Sequence, residues 1–218
     1  MNLPLIFSLC TVLWALVLVV FLWRQSRRAG IVSAAVITAL GAFSFALAKV
    51  GVFDNFTLPP PLFFLLIGTF VATAILARKT PLPHSEVWLV GLQSFRIVVE
   101  LLIHEAVLQK VAPPQFTWTG LNFDILTGLT APIVALLIAT GHAKRTVVLL
   151  WNIAGSLLLF WVVMVAVLSM PLPFQVFHPD NTWIVHAPYI WLPIIFVSSA
   201  LYLHILVFRK LSSDSGGR

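Results

Sequence analysis

The chain has 218 residues, of which 60% are hydrophobic and only 9% charged, with a mean hydropathy of +1.03. Soluble domains carry roughly 25% charged residues, so this composition excludes an ordinary water-soluble globule and points to a membrane protein. The net charge of +6 does not point to nucleic acid: the basic residues sit in short segments between apolar runs, where lipid headgroups and membrane topology account for them.

A spanning helix needs about 20 apolar residues. Runs of that kind occur at 3–23, 31–53, 60–77, 87–110, 122–141, 146–168 and 188–208. The expected fold is all-α, a polytopic transmembrane helix bundle of about seven spans. One domain would cover 1–211, with a short flexible cytoplasmic tail over 212–218, and no room is left for a soluble catalytic domain. The first run carries Cys10, the lone cysteine, which excludes an internal disulfide and any multi-cysteine metal site. No basic residue precedes that run, and Arg24, Arg27 and Arg28 follow it. That pattern predicts a retained first helix rather than a cleaved signal peptide. The second run (Ser33, Ala34, Ala39, Gly41, Ala42, Ser44, Ala46, Ala48) and the fifth (Gly128, Ala131, Ala135, Ala139) are rich in small residues. Small residues let backbones approach, so these two helices are expected at the centre of the bundle. Pro132 and Pro193 fall inside spans, where kinks are expected.

Orientation follows from the basic residues. Ten of the thirteen Lys and Arg (Arg24, Arg27, Arg28, Arg78, Lys79, Lys144, Arg145, Arg209, Lys210 and Arg218) fall on one side if there are seven spans. The opposite side holds Lys49 and Lys110. The expected topology is N-terminus outside and C-terminus inside, with tryptophans such as Trp88 and Trp118 near the interfaces.

The fourth run, WLVGLQSFRIVVELLIHEAVLQK, places Arg96, Glu100 and His104 four residues apart. That spacing puts them on one drifting helical stripe. Ionisable groups at membrane depth are costly and normally face a protein interior, a cavity or a relay. Arg96 and Glu100 fall near the bilayer centre and His104 about 8 Å further out. Asn122 and Asp124 open the fifth span. His178, Asp180, Asn181 and His186 lie in the long 169–187 loop on the outer side, whereas His84, His142 and His204 map toward the inner side.

Each group has a plain reading beside a sharper one. Arg96 and Glu100 can form an i,i+4 ion pair that only pins helices together. Asp124 can serve the dipole of the fifth helix, capped by Asn122 or Thr119. The loop histidines can be ordinary surface residues. In the sharper reading, Glu100 and His104 carry catalysis and Arg96, Asn122 and Asp124 hold a ligand. His104, Glu105, His178 and His186 then offer the nitrogen and oxygen donors that a divalent metal accepts as cofactor. HEAVL lacks the second His of a zinc-protease helix, and no haem-attachment or phosphate-loop motif occurs.

The stretch from Phe95 to Leu137, containing FRIVVELLIHE and GLNFDILTGLTAP, followed by LLWNIAG, PFQVFH and PYIWLP, resembles an uncharacterised group of small bacterial polytopic integral membrane proteins. The resemblance implies a multi-pass protein of the cell membrane, the bacterial inner membrane, and carries no activity, cofactor or catalytic residue.

Three functional classes follow. The first is a membrane enzyme or redox protein with a metal or small-ligand site in the outer half. The second is a small-solute or proton-coupled transporter using the Arg96, Glu100 and His104 stripe. The third is a non-catalytic subunit whose charged stripe packs against a membrane partner. The sequence leaves open whether the chain is an enzyme. The expected partners are the lipid bilayer, a small-molecule ligand or a packing helix, and not nucleic acid.

Overall fold

A computed structural model describes residues 2–213 of the chain. Helix α1, Leu3–Gln25, begins at Asn2, whose side chain accepts from the Leu5 amide, and Pro4 sits in the first turn where its missing N–H costs nothing. Its buried residues, Leu3, Phe7, Thr11, Trp14, Leu18, Phe21 and Leu22, recur every three or four positions. They form one inward stripe, and most of the remaining helix surface is apolar and at least partly exposed. Ser26 breaks the helix and caps α2, Arg27–Lys49. The two pack as an antiparallel hairpin, and at Gly30 a Cβ would lie 2.7 Å from the Trp23 backbone. Helix α3 is Pro61–Lys79. Helix α4, Val87–Gly91, runs through a 3₁₀ turn, Leu92–Ser94, into α5, Phe95–Leu108. Then come α6, Ile125–Ala139, and α7, Arg145–Leu168. A π-helical segment, Leu192–Val197, leads into α8, Ser198–Ser213.

Six of these segments are long and apolar enough to cross a membrane: α1, α2, α3, α4 with α5, α7, and the π segment with α8. The fifth expected span is the departure. Helix α6 has 15 residues, about 22 Å against roughly 30 Å of hydrocarbon. The missing length is made of loop. Beyond α5 the chain turns back alongside it: Trp118 stacks on His104, Asn122 reaches Glu100 and Asp124 reaches Arg96. Helix α6 continues the same descent, with Gly128 against Ile97 and Gly91 against Ala135. Non-helical backbone between apolar helices is tolerated when protein buries it. Gln115, Phe116, Thr117 and Asn122 are buried, and Gln115 donates to Ser169 Oγ and the Pro179 carbonyl.

This return keeps alternate helix ends on opposite faces. At one end, Arg145 donates to the Leu211 carbonyl and Arg209 donates to the carbonyls of Ala77 and Thr80. Arg24 shares a groove with Trp88 at the same end. Arg24, Arg145 and Arg209 therefore gather on one face of the bundle.

The central helix is not the expected one. In the most apolar stretch of Leu192–Ser213, 61% of residues are buried, against 22% in α2. Helix α8 packs against α3, α4 and α7. The small residues of α2 serve local seams instead, such as Gly41, whose carbonyl accepts from Trp191 Nε1. The end of α8 also runs past the expected boundary, so Ser212 and Ser213 are helical and the remainder of the expected tail, 214–218, lies outside the described residues.

Candidate functional site

Where α5, α6, α7 and α8 meet, four chain segments bring polar side chains together. Arg96 is 3% exposed. Its Nη1 donates to Asp124 Oδ1 at 2.6 Å and its Nη2 lies 2.9 Å from His204 Nε2. His204 Nδ1 lies 2.7 Å from Asn152 Oδ1, and Asn152 Nδ2 donates to the His204 carbonyl. An amide oxygen only accepts, so Nδ1 carries the imidazole proton and Nε2 accepts from Arg96. The histidine is neutral in this arrangement.

Glycines make the approach possible. A Cβ at Gly128 would meet Arg96 Cβ at 3.1 Å and the Ile97 nitrogen at 3.0 Å. At Gly155 it would meet His204 Cε1 at 2.8 Å and Thr127 Cγ2 at 2.9 Å. The two positions set the α5–α6 and α7–α8 spacings that let the side chains touch.

Glu100 stands apart from that chain of contacts. It is 2% exposed, and its Oε2 accepts from Asn122 Nδ2 at 2.6 Å. Asn122 also donates to the Phe116 carbonyl and accepts from the Asp124 amide. The backbone of Trp118 adjoins the Glu100 carboxylate, whose Oε1 has no hydrogen-bond partner. Among the described residues, no cation lies within ion-pair distance of Glu100, and Arg96 pairs with Asp124. The expected i,i+4 pair of Arg96 with Glu100 is not formed. Asp124 precedes α6 but makes no side-chain cap, because its carboxylate is taken by Arg96.

Glu100, Arg96, Asn122 and Asp124 border a cavity of about 80 Å³ whose remaining walls are apolar, drawn from α3, α5, α7 and the π segment with α8. It has room for several waters or a small group. Chemically, the arrangement offers a neutralised Arg–Asp pair beside a lone carboxyl group with one oxygen open.

The other sequence-predicted residues fall elsewhere. His104 stacks on Trp118 at 4.3 Å between ring centroids, and its Nδ1 is unpartnered. Glu105 accepts from Gln109. His178 lies 3.7 Å from Asp180, and His186 3.5 Å from Asp54. The structure does not bring His104, Glu105, His178 and His186 together. Among the described residues, no three His, Cys, Asp or Glu side chains gather as a metal set. The physical reason is that the 169–187 loop is tied down through Asn181, which donates to the Ala166 carbonyl, and its histidines stay at the surface.

Two members of the network, His204 and Asn152, are not among the site residues that the sequence singles out. A seventh span ending at 208 puts His204 toward the inner side. The helical segment instead runs from Leu192 to Ser213, which puts His204 near its middle. The available signal was a lone polar residue within each apolar run: Asn152 in LLWNIAG and His204 in LYLHILVF.

Residues 55–212 match the family model described as a domain of unknown function (DUF8737), and the chain belongs to that family. The matched region spans α3 to α8 and contains every residue of the buried network, while α1 and α2 lie before it. No curated protein and no solved structure matches the chain.

Proposed function

For this member of a family of unknown function, we propose a multi-pass membrane protein that binds a small cationic solute or a proton at Glu100 and exchanges it across the bilayer. The observation that supports this reading is the asymmetry of charge at the site. Arg96 and Asp124 neutralise each other, whereas Glu100 is buried on a cavity wall without a cation and with one oxygen free. A buried carboxylate without a cationic partner is expensive. It is relieved by taking a proton or by a cationic guest, and alternation between the two is the basis of coupled exchange. Asn122 holds the carboxyl group in place from the loop side. The basic end of the bundle faces the cytoplasm in this reading, so the N-terminus is outside and the C-terminus inside.

Proton flux in liposomes tests it. With a potassium diffusion potential imposed and an internal pH dye, wild-type protein is expected to pass protons, or to do so when a permeant amine is supplied outside. Glu100→Gln is expected to abolish that flux, and His178→Ala, at the surface and away from the cavity, to preserve it. Flux that is equal in wild type and Glu100→Gln would refute the proposal.

A further inference from the structure

The cavity at Glu100 has a chemical gradient and an open side. Its polar groups come only from α5 and the loop before α6, while the opposite wall is apolar: Leu66 and Phe70 on α3, Val162, Val163 and Val167 on α7. Helices α3 and α7 each pack on α8 but are not a closely packed pair themselves. Phe70, Val162, Val163 and Val167 line the cavity and are at the same time partly exposed. The cavity therefore opens sideways through an apolar crevice between α3 and α7, on a surface where the nearby α7 residue Phe160, 64% exposed, is lipid-like in character. The crevice lies within the stretches whose length and hydropathy suit a bilayer, and among the described residues none of the α3 and α7 side chains that line the cavity is charged.

Resting on the reading of Glu100 as the binding group, we infer that its guest is a membrane-borne amphiphilic amine. The protonated head sits at Glu100 and the hydrocarbon chain lies in the α3–α7 crevice, so that the molecule enters from the lipid and not from water. A cationic head complements the cavity's uncompensated carboxylate, and an ammonium supplies the hydrogen-bond donor that Oε1 lacks. An anionic head would meet both Glu100 and a guanidinium already engaged by Asp124. An apolar wall open to lipid favours a chain over a hydrated solute, because burying each CH₂ contributes about 0.8 kcal/mol.

Thermal unfolding of the full chain in nanodiscs, with decylammonium, decanol, decanoate or methylammonium added, tests the inference. At a hundredfold excess over Kd, decylammonium is expected to raise Tm by about 5–10 °C, with the other three near zero. Glu100→Gln and Val163→Trp are each expected to lose the rise while keeping the ligand-free Tm. Leu66→Phe, a smaller obstruction across the crevice, is expected to halve it or more, and serves if Val163→Trp does not fold. A rise with methylammonium that needs Glu100 but ignores the crevice variants would overturn lipid entry and leave the Glu100 site standing. A rise with decanol in place of decylammonium would overturn the cationic head. A rise with any probe that survives Glu100→Gln would overturn both this inference and the Glu100 site.

Discussion

At the scale of single residues, the Arg96–Asp124 pair and the Glu100 carboxyl group behave as opposites. Truncating one partner of a buried pair leaves a stranded charge, whereas removing both is often neutral. Arg96→Met is expected to destabilise the protein by about 3 kcal/mol, read as a lowered midpoint of chemical unfolding in detergent. Arg96→Met combined with Asp124→Leu should recover most of that loss. Glu100→Gln, by contrast, should not lower the midpoint, since it removes a charge that no cation balances and keeps an acceptor for Asn122. Packing gives an independent check. Gly155→Ala would press a methyl group 2.8 Å from His204 Cε1, and a cost of about 1–3 kcal/mol is expected for such crowding. Gly68, where nothing lies within 4 Å of the added carbon, is the matched control, and Gly68→Ala should be neutral or slightly stabilising.

At the scale of elements, the unusual piece is the loop that precedes α6. A surface loop exchanges its amide hydrogens quickly. This one is built into the bundle: the Leu121 amide donates to the Gln115 carbonyl, the Asn122 amide to Thr117 and the Asp124 amide to the Asn122 side chain. Trp161 on α7 donates to the Leu121 carbonyl. Gly120 sits where a Cβ would be 2.5 Å from the Pro114 carbonyl oxygen, so the loop closes only with glycine there. Hydrogen exchange over 115–124 is therefore expected to be as slow as in neighbouring helices. Asn122→Ala, which strands Glu100 Oε2 and the Phe116 carbonyl, should speed it at least tenfold, equivalent to about 1–3 kcal/mol of lost bonding. Fast exchange in the wild type would mean that the loop does not hold the carboxyl group in place.

At the scale of the whole molecule, the testable property is the side on which each loop emerges. With Cys10 replaced by Ala, single cysteines at Ser26, His84, His142 and Ser212 should be labelled by an impermeant maleimide only from the cytoplasmic face. Cysteines at Thr57, Gln109 and Asp180 should be labelled only from outside. Labelling of His142 from the outer face would show that the loop and α6 together do not complete a crossing. The gathering of Arg24, Arg145 and Arg209 at one end of the bundle makes the first outcome the expected one.

Much of the fold was legible because hydrophobicity is local. Runs of about 20 apolar residues announce helices wherever they occur, and the boundaries of α1, α3 and α7 match the reading to within two residues. Four of the polar residues at the cavity, Arg96, Glu100, Asn122 and Asp124, were legible for a similar reason: charge and amide groups stand out against an apolar background. Pairing was not legible. Helical spacing joins Arg96 to Glu100, yet Asp124 wins the guanidinium because a loop carries it down to that depth, and nothing in the local pattern of GLNFDILTG specifies descent. Only tertiary packing brought His204 and Asn152 to Arg96, made α8 the central helix, and kept His178 and His186 at the surface. Apolar periodicity marks what must leave water. Which buried polar groups meet depends on contacts between residues as far apart as 96 and 204, and those distances exist only once the helices have packed.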